Sequence, residues 1–343
     1  MKKTSLFACA LLVLAGLATP SAPVAAENNI NLTGAGATFP YPLYSRWFSE
    51  YNRLHPNVRI NYQPIGSGGG IQQVKNGTVD FGASDAALSD QQLATMPALV
   101  QLPMTAGPVC ITYNLRGVSG QLKLTGSALA GIYIGSITKW NDGAIARANP
   151  GVNLPNRAIL VVHRSDGSGT TNIFTTYLAA VDGAWAAKVG KGTAVNWPQG
   201  LGGKGNDGVA GLVKNADGAI GYVELAYALE NKLPVALLQN QAGRFLPPTP
   251  EGITAAIAAN AGALARDVRT PVVNSAAPDA YPIGGFTFLL VTKSGRNTAN
   301  RAALKQYITW AVTAGQSFSG ALHYATLPPS IVALDKRLLN EVR

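Results

Sequence analysis

Apolar residues in this chain come in short runs, separated by mixed segments of helix length. Asn57-Val58-Arg59-Ile60-Asn61-Tyr62 alternates polar and apolar, which predicts a half-buried strand. Ile159-Leu160-Val161-Val162 and Phe286-Thr287-Phe288-Leu289-Leu290-Val291 are β-branched or aromatic and bounded by turn residues, so they predict buried strands. Residues 42–54, 172–180 and 298–313 read as helices. Strand, turn and helix succeed one another without an internal repeat, the pattern of α/β layers. Gly107-Pro108 and the Pro- and Gly-rich stretch 277–285 predict crossings between two parts of the fold.

The N-terminus follows a different rule. Met1-Lys2-Lys3 is basic, residues 6–18 carry no charge, and small residues run on to Val24-Ala25-Ala26. That order predicts a secretory signal peptide over 1–26, cleaved near Ala26. The apolar run is shorter than the roughly 20 residues a spanning helix needs. Cys9 sits too early in the run for a lipidation box and leaves with the leader, so Cys110 is expected to be a lone buried thiol.

Composition removes several function classes. The 343 residues hold 27 Lys+Arg against 17 Asp+Glu and only 13% charged residues. Outside the leader the basic residues are scattered singly, apart from the pair Lys336-Arg337, and do not interleave with aromatics, which argues against nucleic acid and for a field that attracts small anions. His55, His163 and His323 lie far apart and share no metal-ligand spacing with either cysteine, so no metal and no cofactor is expected.

Three glycine turns concentrate the chemistry. They are Thr33-Gly34-Ala35-Gly36-Ala37-Thr38-Phe39-Pro40, Ile65-Gly66-Ser67-Gly68-Gly69-Gly70-Ile71-Gln72 and Arg164-Ser165-Asp166-Gly167-Ser168-Gly169-Thr170-Thr171. Each leads into a predicted helix. The first turn of a helix offers unpaired N–H groups and the positive end of the macrodipole. Glycine lets a ligand approach the backbone, and Ser and Thr add hydroxyl donors. Such a turn can hold an anion with few formal charges.

These segments, with Val79-Asp80-Phe81-Gly82-Ala83-Ser84-Asp85 and Gly200-Leu201-Gly202-Gly203-Lys204-Gly205-Asn206-Asp207-Gly208, resemble the phosphate-binding proteins of bacterial phosphate ABC transporters, in family order across the mature chain. The resemblance implies an α/β, two-lobed periplasmic binding protein fold of type II. Each lobe is a mixed sheet flanked by helices, and a ligand cleft lies between them. Lobe I takes 27–106 and 283–343, and lobe II takes 107–282. It also implies a monomeric, non-enzymatic periplasmic protein that closes on inorganic phosphate and delivers it to membrane permease subunits served by a cytoplasmic ATPase.

Carried over residue by residue, the ligand positions fall on Thr38, Phe39, Ser67, Asp85, Arg164, Ser168, Gly169 and Thr170, with Asp166 supporting Arg164. Phe39 and Gly169 act through backbone N–H, and Thr38, Ser67, Ser168 and Thr170 through hydroxyls. Gly68 departs from the serine many relatives carry there. Asp85 is the expected discriminator. A carboxylate accepts the proton that phosphate still carries, while sulfate meets it as a like charge with nothing to share. Arsenate passes the same test as phosphate.

Two rival readings are weaker. Gly200-Leu201-Gly202-Gly203-Lys204-Gly205 matches a dinucleotide fingerprint formally, but the preceding Asn196-Trp197-Pro198-Gln199 is a poor strand. It reads instead as a loop near the cleft, contributory at most, with Asn206 or Asp207 capping a helix over 208–215. A secreted hydrolase or phosphatase lacks support, since neither Ser67 nor Ser168 sits in a G-x-S-x-G elbow.

Overall fold

The computed structural model describes residues 29–294 and 298–342. The expected leader and Cys9 lie outside the described residues. The strands in chain order are β1 (Ile30–Gly36), β2 (Val58–Gln63), β3 (Phe81–Ser84), β4 (Leu99–Asn114), β5 (Lys123–Leu124), β6 (Leu160–Arg164), β7 (Leu201–Gly203), β8 (Ala219–Glu224), β9 (Leu237–Gln239), β10 (Phe245–Leu246) and β11 (Gly284–Thr292). Eight of them form a mixed sheet in the order β2-β1-β3-β11-β4-β8-β6-β7, and β10-β9-β5 form a small second sheet. The expected strand at Asn57–Tyr62 is β2, and those at Ile159 and Phe286 are β6 and β11, each within two residues.

β4 organises the molecule. Its first part, up to Pro108, pairs antiparallel with β11. From Val109 onward it pairs with β8 instead. The sheet therefore has two strand groups, β2-β1-β3-β11 and β8-β6-β7, that share one continuous strand. The change of partner falls at Gly107-Pro108, where the sequence predicts a crossing. Gly284 and Gly285 of β11 stand opposite this pair.

Each group has its own aromatic packing. The helix Tyr41–Leu54 turns Leu43, Tyr44, Trp47 and Tyr51 inward at helical spacing. The Trp47 indole donates to the Gly315 carbonyl at 2.7 Å, which gives the buried ring its polar partner. In the other group Phe174 stacks on Tyr222 with centroids 4.2 Å apart. Cys110 is buried and free, packed with Val162, Val209 and Val223. Helix Ser67–Lys75 lies hard against β1 and β3. A Cβ on Gly70 would stand 2.5 Å from the Gly36 Cα, so only glycine allows the approach.

Candidate functional site

Every sequence-predicted site residue lies at the end of a strand or the start of a helix. Thr38 and Phe39 follow β1 and precede helix Tyr41–Leu54, and Ser67 opens helix Ser67–Lys75. Asp85 follows β3, Arg164 ends β6, and Gly169 and Thr170 open helix Gly169–Val181, with Ser168 as its N-cap. All eight are buried. The three glycine turns thus deliver helix N-termini to one place, as the macrodipole argument requires.

The two strand groups meet through these residues. The Ser67 hydroxyl oxygen accepts from the Gly169 N–H at 3.0 Å and from the Asp85 N–H at 3.2 Å. A Cβ on Gly169 would fall 2.5 Å from both the Asp85 Cβ and the Ser67 Oγ, so the contact depends on glycine. The Gly68 N–H donates to the Gly167 carbonyl at 2.8 Å. A side chain on Gly68 would press the Gly167 Cα at 3.2 Å.

Arg164 is held as a fixed cation. Its Nε donates to Asp166 Oδ1 at 2.8 Å, its Nη2 to Oδ2 at 2.5 Å, and its Nη1 to the Thr170 hydroxyl at 3.3 Å. Three of the five guanidinium N–H groups are thereby used, and two remain for an anion. Burial raises the Asp166 carboxyl, but the Arg164 hydrogen bonds and charge, with the Gly205 N–H, hold it below the usual range.

Asp85 behaves differently. Burial pushes its carboxyl up to about 7, against the opposing pull of the Thr287 hydroxyl and the Arg164 charge. Thr287 donates to Asp85 Oδ1 at 2.8 Å. The β4–β11 register shifts between Thr287 and Phe288, a bulge that leaves Met104 unmatched beside the residue that reaches Asp85. A carboxyl poised near neutrality can share one hydrogen with a protonated oxyanion in either direction.

The peptide between Thr38 and Phe39 is aimed from behind. The Tyr227 hydroxyl donates to the Thr38 carbonyl at 2.6 Å. A trans peptide is planar, so holding the Thr38 C=O one way points the Phe39 N–H the other way. The Tyr324 hydroxyl likewise meets the Phe39 carbonyl at 2.7 Å. Ser168 spends its acceptor on the Thr171 N–H at 3.0 Å and keeps its own hydrogen to donate.

The chain matches the family described as PBP superfamily domain over residues 18–314. Among curated relatives, the phosphate-binding protein PstS of Xylella fastidiosa (strain Temecula1) is 46% identical over 92% of this chain and 87% of its own. The chain belongs to the PstS family of phosphate-binding proteins. The Haemophilus influenzae PstS is 42% identical, covering 92% of this chain and 93% of that one. In fold, the chain resembles a phosphate-binding protein from Stenotrophomonas maltophilia with a TM-score of 0.67 at 20% identity, over 90% of this chain and 93% of that one.

The segment after β7 differs from its expected form. The helix expected over 208–215 begins at Gly205, with Lys204 as N-cap and no side-chain cap. Asn206 is therefore not a cap. Its Nδ2 donates to the Thr38 hydroxyl at 2.8 Å and lies 3.2 Å from the Thr170 hydroxyl. Its Oδ1 accepts the Glu224 N–H at 2.9 Å. Asn206 joins site residues of both groups, a larger part than the glycine run around it indicates. Thr287, Tyr227, Tyr324 and Glu224 escape sequence reasoning as well, because no local pattern marks them.

His163 takes no hydrolytic position. Its Nδ1 lies 3.0 Å from the Arg164 carbonyl oxygen, which makes that nitrogen the donor, and its ring stacks on Trp197 with centroids 4.7 Å apart. Among the described residues no group of three or more His, Cys, Asp or Glu is gathered to hold a metal ion.

Proposed function

We propose that this chain is a periplasmic receptor for inorganic phosphate, closing two lobes around the anion and delivering it to the permease of an ABC importer. The lobes are 27–106 with 283–343, and 107–282. The switch of β4 from β11 to β8 at Gly107-Pro108 supports that boundary. The observation that carries the reading is the buried meeting of Ser67, Asp85 and Gly169 across the two groups, beside an arginine with donors to spare.

A dianion stripped of water needs its solvation returned by preorganised donors. Here the Phe39 N–H, four hydroxyls and one guanidinium do so, the guanidinium adding a charge-assisted contact, whereas the Gly169 N–H, expected to face the anion, is instead donated to the Ser67 hydroxyl. Asp85 then selects for a ligand that brings a proton. The protein acts as a monomeric carrier, with no step of bond making or breaking. The names of the PstS relatives support phosphate as the ligand.

Titration of purified, phosphate-stripped mature protein with phosphate, arsenate and sulfate tests this reading. One phosphate per chain and a much weaker sulfate response are expected. No heat with phosphate would end the proposal. Turnover of a chromogenic phosphomonoester would replace the carrier with an enzyme.

A further inference from the structure

Glu224 is a fully buried carboxyl behind the site, at the end of β8. Its Oε2 accepts the Ala226 N–H at 3.0 Å and lies 2.9 Å from the Tyr324 hydroxyl. Its Oε1 is buried with no hydrogen-bond partner among the described residues. Tyr324 comes from the C-terminal segment, in the opposite lobe as proposed above. The same hydroxyl stands 2.7 Å from the Phe39 carbonyl.

These contacts fix a count of hydrogens. A carbonyl can only accept, so the short Tyr324–Phe39 contact uses the one phenolic hydrogen. The Tyr324–Glu224 contact then requires a second hydrogen, and of the two groups only Glu224 can supply it. A neutral acid also makes the unpartnered Oε1 tolerable, where a carboxylate oxygen would not be. We infer that Glu224 takes up a proton from solvent as the lobes close, completing a chain from Glu224 through Tyr324 to the Phe39 carbonyl, so that closure on the anion is coupled to pH at a group that never touches it.

The electrostatic setting agrees. Burial drives the Glu224 carboxyl well up, against the Ala226 N–H and the Tyr324 hydroxyl. The titratable groups that act on it are Tyr324, Tyr227, the Cys110 thiol on β4, and Glu230 on the helix that follows β8. None of these is cationic, and of them only the Tyr324 hydroxyl opposes the rise, through its hydrogen bond. When the lobes part, Tyr324 and the Phe39 turn withdraw from the end of β8 and water replaces them, which restores the ionised form. Glu224 is thus a positioning residue. It holds the Phe39 turn through Tyr324, and it holds it firmly only when protonated.

The inference rests on phosphate as the ligand, and its test separates the two. Phosphate is titrated into the mature protein at pH 8 in buffers of differing ionisation enthalpy, which gives the protons taken up per binding event. The same is done with Glu224→Gln, whose amide keeps a donor toward Tyr324 and cannot titrate. Phosphate and Asp85 contribute equally to both proteins, so the difference isolates Glu224. Wild type should take up about one proton more than Glu224→Gln. From pH 6 to pH 9 the dissociation constant should rise in both proteins, and the rise in wild type should exceed that of Glu224→Gln by about tenfold per pH unit wherever the extra uptake is about one proton.

Equal proton counts in two proteins that both bind phosphate would overturn the inference and leave the function reading standing. Absence of phosphate binding in wild type would sink the function reading instead. If Glu224→Gln does not fold, infrared difference spectra of wild type with isotope-labelled glutamate decide the matter. Phosphate should bring up the carbonyl stretch of one protonated glutamic acid, and no such band would overturn the proposal.

Discussion

Asp85 and Asp335 are both buried aspartates in this protein, and they sit in unlike surroundings. Asp85 lies where two strand groups meet, with Thr287 donating to one oxygen and Arg164 close enough to lower its proton affinity. Asp335 lies in helix Pro329–Leu339 with both oxygens buried and unpartnered among the described residues. Burial alone pushes the Asp335 carboxyl up to about 9, while the donors around Asp85 hold it at about 7. The difference teaches that burying a carboxyl does not make a recognition site. A site needs donors that tune the group into the range where its ligand titrates.

Removing the tuning should break that contrast most strongly. Arg164→Ala strips the cation and leaves Asp166 buried without its partner. Phosphate affinity should fall by about 100-fold or more, since losing one member of a desolvated charge pair costs about 2–5 kcal/mol. Calorimetry beside thermal melts checks this, and equal losses of affinity and stability would make Arg164 structural only. Asp85→Asn comes next. The fold should persist while the preference for phosphate over sulfate narrows by about tenfold or more, because the amide can donate to sulfate. Unchanged discrimination in a competition titration would remove Asp85 from that role.

Asp335 sharpens the other side. Its native proton affinity lies above its unfolded value of 3.8, so the native state holds the extra proton between there and about 9. Stability therefore falls as pH rises through that window, by at most about 1.4 kcal/mol per pH unit for one group. Asp335→Asn should flatten the decline of Tm from pH 5 to pH 9 without changing phosphate affinity. An unaltered slope would show that the carboxyl finds relief elsewhere. The smallest expected effect is Asn206→Ala, about 1–2 kcal/mol or roughly tenfold in affinity, from the lost bridge between Thr38 and Thr170. Wild-type affinity in that variant would reduce Asn206 to a packing role.

Seven of the eight proposed ligand positions are readable in the sequence because each sits in a local signal of glycine and hydroxyl before a helix, whereas Asp85 lies outside those turns and is assigned through the family resemblance alone. The strands at Asn57, Ile159 and Phe286 are readable for the same local reason, their alternation or β-branching. The supporting residues are not. Asn206 meets Thr38 across 168 residues of chain, and Tyr324 meets Phe39 across 285. No periodicity or spacing encodes such pairs, since they exist only once the two groups are folded against each other. The helix start at Gly205 is hidden because Gly203, Gly205 and Gly208 look like loop, yet tight packing requires glycine there: a Cβ on Gly203 would meet the Val209 nitrogen at 2.7 Å.

A strand that serves two ladders also has a mechanical meaning. Because β4 runs unbroken through the middle of the sheet, the halves of the molecule cannot slide or separate freely. In the proposed closure, torsion would fall on the peptide units near Gly107-Pro108, where proline contributes no ladder hydrogen bond, and on the second crossing before β11. If the proposed lobes turn about these crossings, the surfaces would retrace a single arc, and groups hundreds of residues apart in the chain would return to the same register without a diffusive search.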